Sequence, residues 1–319
     1  MILVTGATGA SGAAVIREFA RRGLAVRALV RNPAKLAALL APERAERASA
    51  VRVVRGDMAE PDSLGDALAG VEKVLMISTA NEALVRTQTT FIDVARRAGV
   101  RHLVKFSGRG CSLDSAFRFA RMHGQVEQYL EGSGLAWTML RPSQFMHVYF
   151  REIPTILRDG LIALPMADAR LAPVDVEDIA RIAVAVLVGD GHENQRYDIT
   201  GPEALTMNDV AATLSAAIGL PVRYVDVDPA EKHRQLLAAG IPAYFADAMN
   251  ELFAERRRNL DESRVELSTH ERFGVAPTTL ADFARRHAAV FRGAAAPDHL
   301  WAAGWQSTKA DRGFRGVIS

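Results

Sequence analysis

The sequence predicts an α/β fold in which a doubly wound parallel sheet is joined to a smaller, mixed C-terminal lobe. Short apolar segments alternate with amphipathic segments as far as Pro142, which is the pattern of a parallel sheet buried on both faces. The first apolar segment runs directly into a glycine-rich turn and a helix. After Pro142 the alternation loosens, which favours a second lobe of different construction.

The first strand and helix surround the stretch MILVTGATGASG. Ile2-Leu3-Val4 is apolar, and an amphipathic helix is predicted over about 12–22. Gly6, Gly9 and Gly12 between them allow a tight turn, close backbone approach to a pyrophosphate, and close packing of helix on strand. The spacing G-x-x-G-x-x-G is a variant of the dinucleotide fingerprint. We therefore predict a dinucleotide site; a purely structural turn is the alternative.

The following segments continue the alternation. Short apolar runs of four to eight residues between amphipathic segments are typical of parallel strands joined by helical crossovers. Further strands are predicted at 25–30, 51–54, 74–77, 102–106 and 136–140, with helices at about 33–40, 61–69, 82–98 and 115–132. In such a sheet the ligand binds at the carboxyl edge of the strands.

The C-terminal half is predicted to be mixed, with an irregular segment at 143–171 that contains a short helix. The predicted elements after it are helices at 174–188, 206–218, 229–239, 243–258 and 279–291, and strands at 197–199 and 222–227. Asp175 is a candidate N-cap of the first of these helices. The triplet Arg256-Arg257-Arg258 is expected on a solvated helix face.

These elements predict a divided chain. Residues 1–142 plus about 172–200 would form the nucleotide-binding domain, and 143–171 with 201–292 the substrate lobe. Residues 293–319, which carry Trp301 and Trp305, would form a tail.

Composition narrows the functional classes. The 319 residues are 49% hydrophobic and 24% charged, with a net charge of +2, so no strong field favours nucleic acid or an anionic membrane. One cysteine, Cys111, excludes an intrachain disulfide, and it is expected to be a small apolar side chain rather than a nucleophile. No signal peptide or membrane span is expected, so we expect a cytoplasmic protein. Its expected partner is a small-molecule substrate, and a homodimer is one interpretation.

Residues after the second and third strands bear on cofactor choice. Arg31, just beyond strand two, stands where an acidic residue would bind the ribose of NAD, and a guanidinium there accommodates the 2′-phosphate of NADP. Lys35 adds a second positive charge. Asp57 is placed to contact the adenine amino group with Met58 against the ring; the alternative is that Asp57 caps the helix beginning near Pro61.

The ends of strands four to six are predicted to line the reaction site. Ser78 to Asn81 follow strand four, and Ser107 follows strand five, where its hydroxyl is within reach of a substrate oxygen or the cofactor amide. Pro142 ends strand six and turns Gln144, Phe145 and Met146 towards the pocket.

His123 and Glu127 lie four residues apart on the helix after strand five, so they share one face. The histidine can supply or relay a proton, with the carboxylate orienting it; a simple surface pair is the alternative. Without a third ligand, no metal site is predicted.

The complete predicted sets are as follows. Ser107 and His123 are the predicted catalytic residues. The predicted cofactor contacts are Gly6, Ala7, Thr8, Gly9, Ala10, Ser11, Gly12, Arg31, Asn32, Lys35, Asp57, Met58, Ser78, Thr79, Ala80, Ser107, Pro142 and Phe145. The predicted substrate contacts are Asn81, His123, Gln144, Phe145 and Met146.

Several motifs together resemble the NmrA-like branch of the atypical short-chain dehydrogenase/reductases, which are NADP-binding Rossmann proteins. They are TGATGASG, VRNPAK, RGDM, VKFSGRG, RMHGQVEQYLEGSGLAWTMLRPSQFM and PVDVEDIARIAVAVL, and the resemblance extends over roughly 1–291. It implies NADP(H) as cofactor and an activity such as quinone, azo-dye or triphenylmethane reduction, or redox sensing without catalysis. The Tyr-x-x-x-Lys pair of the wider superfamily is replaced here by His123-Gly124-Gln125-Val126-Glu127.

The leading hypothesis is therefore an NADPH-dependent reductase of an aromatic or conjugated acceptor. Hydride transfer to such an acceptor does not require the missing tyrosine, because the cofactor carries the hydride and the protein orients the acceptor. A non-catalytic NADP(H) sensor and a biosynthetic ketone, imine or enone reductase with His123 as proton donor are the alternatives.

Overall fold

A computed structural model describes residues 1–40, 49–258 and 261–296. Seven parallel strands form the main sheet, in the order β3-β2-β1-β4-β5-β6-β8. The nine strands of the described chain are β1 Ile2–Val4, β2 Val26–Val30, β3 Val51–Arg55, β4 Lys73–Met76, β5 His102–Phe106, β6 Ala136–Pro142, β7 Leu161–Leu164, β8 Gln195–Ile199 and β9 Arg223–Asp226. The predicted doubly wound sheet is confirmed.

Helices connect the strands. Over the described residues they are α1 Ala10–Arg21, α2 Pro33–Leu40, α3 Gly65–Leu68, α4 Leu84–Arg97, α5 Arg118–Glu131, α6 Ile153–Asp159, α7 Val176–Val188, α8 Met207–Ile218, α9 Pro229–Ala238, α10 Ala243–Arg256, α11 Ser268–Phe273, α12 Leu280–Arg286 and α13 Ala288–Phe291. Short 3₁₀ segments occur at Pro61–Leu64, Met146–Glu152 and Asp261–Ser263.

Both faces of the main sheet are covered by helices, which explains the apolar runs of its strands. On one face α1 and α7 pack together and bury residues such as Ile16, Phe19 and Ile182. On the other face α3, α4 and α5 bury residues such as Phe91 and Leu130. The resulting layers hold the carboxyl ends of the strands at one common edge.

The direction of winding reverses between β1 and β4, which lie side by side in the sheet. Leu3 is paired with Arg27 of β2 on one side and with Val74 of β4 on the other. A crevice forms at such a switch point because the two connections leave in opposite directions. The glycine-rich turn follows β1 and therefore lies at this point.

A second apolar core lies in the C-terminal part of the chain. It includes Tyr149, Ile162, Leu214 and Phe283, and it is formed by α6, α8, α12, α13 and a two-stranded parallel sheet of β7 and β9. Asp175 caps α7 as predicted, accepting a hydrogen bond from the Glu177 amide at 3.0 Å.

Several predicted elements differ in detail from the structure. Residues 143–171, predicted to be irregular with a short helix, also contain β7, whose pairing partner β9 begins at Arg223. The helix predicted over 279–291 is two helices that meet at His287, where the backbone leaves the helical range. The helix predicted over 61–69 begins as a 3₁₀ turn. The predicted tail residues Trp301 and Trp305 lie outside the described residues.

Candidate active site

The glycine-rich turn is sterically restricted at Gly6 and Gly12. Gly6 has a φ of +59°, a left-handed conformation that favours glycine, and a Cβ there would lie 2.8 Å from the Ile77 carbonyl oxygen. A Cβ on Gly12 would lie 2.7 Å from the Gly6 carbonyl carbon and closer still to its oxygen. The turn is closed by a hydrogen bond of 2.8 Å from the Gly9 amide to the Gly6 carbonyl. The backbone is thus exposed to an incoming ligand with no side chain in the way at these positions.

The N-terminus of α1 provides an anion site at this turn. Its N-cap is Gly9, no side chain caps it, and no acidic residue occupies its first turn. The amides of the first helical turn, where Ala10, Ser11 and Gly12 lie, therefore remain available for an anionic ligand, and the helix dipole favours negative charge there. These observations fit a pyrophosphate group.

The ends of β2 and β3 carry the predicted residues for the ribose and adenine. Arg31 is exposed, with its guanidinium 3.8 Å from the Asp57 carboxylate. The Asn32 side chain accepts a hydrogen bond from the Ala34 amide at the start of α2, and Lys35 is exposed on the same helix.

Asp57 is half-buried at the end of β3, where its adenine contact stays a prediction, and Met58 beside it is buried. The Asp57 carboxylate accepts a hydrogen bond from the Ala59 amide at 3.0 Å, so it caps the local turn rather than the helix near Pro61. Met58 is buried in the sheet core with Leu29 and Leu64. Its predicted contact with the adenine ring is therefore corrected, because the side chain lies inside the protein.

The segment after β4 lies beside the crevice. The Ser78 hydroxyl accepts a hydrogen bond from the side-chain Nε2 of Gln88 at 2.8 Å, and Thr79 is exposed. Ala80 lines the cavity described below. Asn81 follows it, and its side-chain oxygen accepts a hydrogen bond from the Ala83 backbone amide ahead of α4; its substrate contact stays a prediction.

A cavity of about 420 Å³ opens at the carboxyl ends of β4, β5 and β6. Its walls are mainly apolar, which suits an aromatic or conjugated molecule. Of the predicted site residues it contains Ala80, Ser107, His123, Pro142, Gln144 and Phe145. Cys111 also lines it, and burial raises the pKa of its thiol, in keeping with the predicted apolar role.

The C-terminal lobe supplies the opposite wall. Helices α9 and α10 form a hairpin that contributes residues including Leu236, Phe245 and Phe253. Arg256 belongs to this wall: it bonds Glu262 at 2.9 Å and the Gln144 side-chain oxygen at 2.5 Å. The expectation that Arg256 lies on a solvated face is therefore wrong, because these two partners hold it inside.

His123 is half-buried in the cavity wall, and its ring does not bond to Glu127. Its Nδ1 lies 2.7 Å from Nζ of Lys105, a lysine buried in β5. Burial, and secondarily the charge of Lys105, hold the pKa of His123 well below its usual value, so the ring is neutral at pH 7. The predicted orienting role of Glu127 is thus corrected.

Glu127 instead holds Arg141 and Ser107. Its carboxylate accepts a hydrogen bond of 3.1 Å from Arg141 Nε, a second one from a terminal nitrogen of the same guanidinium, and one from the Ser107 hydroxyl. Because the Ser107 proton points to Glu127, this hydroxyl is placed to accept rather than to donate a hydrogen bond in the cavity. Gly124 allows α5 to approach so closely: a Cβ there would lie 2.8 Å from the Ser112 backbone.

The side chains of the turn after β6 lie in two different environments. Pro142, Gln144 and Phe145 face the cavity, and Phe145 meets Phe106 edge to face at 6.2 Å. Met146 is 1% exposed and lies in the core of the C-terminal lobe, so its predicted substrate contact is corrected. A turn of 3₁₀ helix begins at this residue and rotates its side chain away.

Comparison with known proteins assigns this arrangement to a family. A match to the NmrA-like family covers residues 1–284. The chain belongs to the NmrA-like family. It is 38% identical to an NAD(P)H azoreductase of Xenophilus azovorans, over 91% of this chain and 99% of the relative. It is 35% identical to a (4-alkanoyl-5-oxo-2,5-dihydrofuran-3-yl)methyl phosphate reductase of Streptomyces griseus, with the same coverage of 91% and 99%.

A solved structure supports the fold of this NmrA-like protein. The NADPH-dependent quinone oxidoreductase QOR2 of Escherichia coli, complexed with NADPH, superposes with a TM-score of 0.78 at 29% identity. The match covers 90% of this chain and 99% of that one. Among the described residues no helix is long and apolar enough to cross a membrane, and no cluster of three or more ionisable ligands is arranged to hold a metal.

Two polar residues of the NmrA-like site were not identified from the sequence. Lys105 is a charged residue within the buried strand His102–Phe106, and this charge in a buried strand is the sequence feature that indicates a special role. Arg141 directly precedes the predicted Pro142 turn, but its partner Glu127 lies on another element. Neither pairing follows from local spacing, since each joins a helix to a strand.

Proposed function

We propose that this NmrA-like protein is an NADPH-dependent reductase of quinone- or azo-dye-like acceptors. The apolar cavity beside His123 carries the proposal, because it lies at the carboxyl edge of the sheet, where a dinucleotide held at the glycine turn directs its reactive end. The azoreductase and the quinone oxidoreductase support the same chemistry. The bound cofactor supplies the hydride, and the chain binds, orients and shields the acceptor.

The residues that would hold NADPH follow from the geometry of the turn and strand ends. The amides near Gly9 to Gly12 would bind the pyrophosphate, and Arg31 the 2′-phosphate, with Lys35 nearby. Ala80, Pro142 and Phe145 would flank the nicotinamide, since they lie where strands β4 and β6 end in the cavity. Gln144 would border the acceptor.

The test is NADPH oxidation, followed by absorbance, with a panel of quinones and azo dyes. We expect turnover with at least one class and a preference for NADPH over NADH. Tight NADPH binding with no turnover on any acceptor would contradict the proposal and favour a non-catalytic NADP(H) sensor.

Arg31 provides a specific check of cofactor choice. Replacing Arg31 with alanine is expected to raise the KM for NADPH roughly ten-fold. This is less than the loss of a buried charge-assisted hydrogen bond would cause, because solvent screens the exposed guanidinium. The KM for NADH should change little, because NADH lacks the 2′-phosphate. Arg52→Ala, which removes an exposed arginine near the start of β3, is the control. Equal effects of Arg31→Ala on both cofactors would show that Arg31 does not contact the 2′-phosphate.

A second candidate function is reduction of an enone. The Streptomyces relative is named for reduction of an acylated dihydrofuranone, and His123 faces the cavity as a proton donor for such a substrate. Adding substituted butenolides to the panel tests this candidate.

We also propose a cytoplasmic location, because a single unpaired cysteine is compatible with a reducing compartment. A homodimer remains a prediction.

A further inference from the structure

Lys105 is a buried lysine near the carboxyl end of β5, an inner strand of the main sheet. It is 0% exposed and lies on β5, which is paired on both sides with β4 and β6. A buried ammonium group is unfavourable unless it has partners. Its Nζ is 2.7 Å from Nδ1 of His123 and 3.4 Å from the Phe106 carbonyl oxygen.

The hydrogen bond between these residues fixes the protonation of the imidazole. An ammonium group only donates, so Nδ1 of His123 accepts, and the proton of the neutral ring is on Nε2. No group in the described part of the chain hydrogen-bonds Nε2. Since His123 lines the cavity, its Nε2–H is available to a bound molecule.

Titratable groups lie near Lys105 on the neighbouring elements. Glu127 on α5, Arg141 on β6 and Cys111 in the loop after β5 all influence it. Glu127 and Arg141 are paired with each other, so their charges largely cancel. Burial lowers the pKa of Lys105 to about 8, opposed by Cys111 and Glu127. At pH 7 the amine therefore carries a proton that it releases more easily than an ordinary lysine does.

We propose that Lys105 and His123 form a proton relay that delivers a proton to the acceptor as it is reduced. This inference rests on the proposed reductase function. The Nε2–H bond of His123 breaks as an O–H or N–H bond forms on the acceptor, whose electron pair comes from the hydride supplied by NADPH. Nδ1 takes a proton from Lys105, which becomes a neutral amine and regains its proton from solvent. His123 is the catalytic residue; Lys105 acts through it as a positioning residue.

The relay distinguishes two kinds of acceptor. A quinone or an azo dye becomes anionic after hydride addition and needs a proton. A cationic triphenylmethane dye becomes neutral on accepting a hydride at carbon and needs none. Because both accept the same hydride, the ratio of their rates isolates the proton transfer from cofactor binding.

The test replaces Lys105 with methionine, which keeps most of the volume and removes the ammonium group. The rate for an azo dye, divided by the rate for a cationic triphenylmethane dye, should fall roughly ten-fold or more. In the wild-type protein the azo rate should decline as pH rises through about 8, since the donor is then lost, and this decline should be absent in Lys105→Met. Lys73→Met, which removes a lysine at the opposite end of the neighbouring strand β4, should leave the ratio unchanged.

A measurement without cofactor completes the test. Nitrogen NMR of histidine-labelled protein, with the His123 signal assigned by its loss in His123→Phe, should show the Nε2–H tautomer in the wild type and a mixture of tautomers in Lys105→Met. If Lys105→Met does not fold, the wild-type spectrum and the wild-type pH profile decide the matter. An Nδ1–H tautomer in the wild type, or an unchanged rate ratio in the variant, overturns the relay alone. A wild-type protein that reduces none of these acceptors overturns the proposed function, and the relay with it.

Discussion

At the scale of single residues, Gly12 sets the tightest steric limit in the nucleotide turn. Replacing it with alanine places a Cβ against the Gly6 carbonyl group, and neither backbone segment moves without disturbing β1 or α1. Overpacking of this kind is typically unfavourable by about 1–3 kcal/mol, so we expect NADPH to bind roughly 5- to 150-fold more weakly if the turn must distort by that much. Fluorescence titration measures this affinity.

Gly65→Ala is the matched control for that substitution. Gly65 is the first residue of α3, has an ordinary helical conformation, and a Cβ there meets no atom within 4 Å. The control should retain NADPH affinity and gain slightly in stability, since alanine favours a helix over glycine. Equal NADPH affinity in Gly12→Ala and the control would show that close approach at Gly12 is not required.

Single residues also mark the limit of what the sequence predicts about the site. Gly6 and Gly12 act within one short stretch of chain, so their spacing in the sequence is itself informative. The sequence indicates His123 as a proton donor, yet it predicts Glu127, on the same helix, as the partner of this histidine. The structure selects Lys105 instead, because side chains from a strand and a helix meet across the sheet surface. Local spacing carries no information about that contact.

At the scale of elements, the α9–α10 hairpin is fastened to the N-terminus of α5. Glu251 on α10 accepts hydrogen bonds from the Arg118 amide at 2.9 Å and from Arg118 Nε at 3.0 Å. Glu255, one turn later, accepts a hydrogen bond from the Phe117 amide at 2.8 Å. Two carboxylates at a helix N-terminus are favourable because they meet its free amides and dipole. This contact closes the cavity from the side of the C-terminal lobe.

Glu251→Gln is expected to loosen this closure. A charge-assisted pair that is mostly buried contributes about 1–3 kcal/mol, and the amide retains only part of it. Hydrogen exchange in α9 and α10 should therefore accelerate roughly ten-fold, while exchange in β5 stays slow. Glu231→Gln is the control, since Glu231 lies on the same hairpin but its side chain bonds within α9, to Arg234 and Gln235. Equal acceleration in both variants would contradict a specific role for Glu251.

The elements of the main sheet were more predictable than those of the lobe. Strands such as β5 are buried on both faces, so their apolar runs were visible in the sequence. Strand β7, Leu161–Leu164, is stabilised by pairing with β9, which lies far along the chain. Contacts of that sequence separation leave little trace in a local pattern. The same reason accounts for Arg256, whose bonding partner Gln144 lies 112 residues earlier in the chain.

At the scale of the whole molecule, the burial of Lys105 in an inner strand of the main sheet affects the stability of the fold. Because the pKa of Lys105 is about 8 in the folded protein and 10.5 in its ordinary state, the unfolded chain binds more protons between these two pH values. The contribution of Lys105 to stability therefore becomes less unfavourable as pH rises through this range, and it is fully unfavourable below pH 8. A functional group buried in this way lowers the stability of the fold.

Lys105→Met should consequently be more stable than the wild type at pH 7, by about 2 kcal/mol once the lost hydrogen bond to His123 is deducted. The difference should shrink between pH 8 and pH 10.5 as the wild-type amine loses its proton in the unfolded chain as well. Urea unfolding of both proteins across this pH range measures it, with Lys35→Met as the reference, because Lys35 is an exposed lysine on α2. A Lys105→Met protein that is less stable at pH 7 would mean that the ammonium group stabilises the packing of α5 on the sheet. The burial of Lys105 would then have a structural role, and it would not be a loss of stability that accompanies proton transfer.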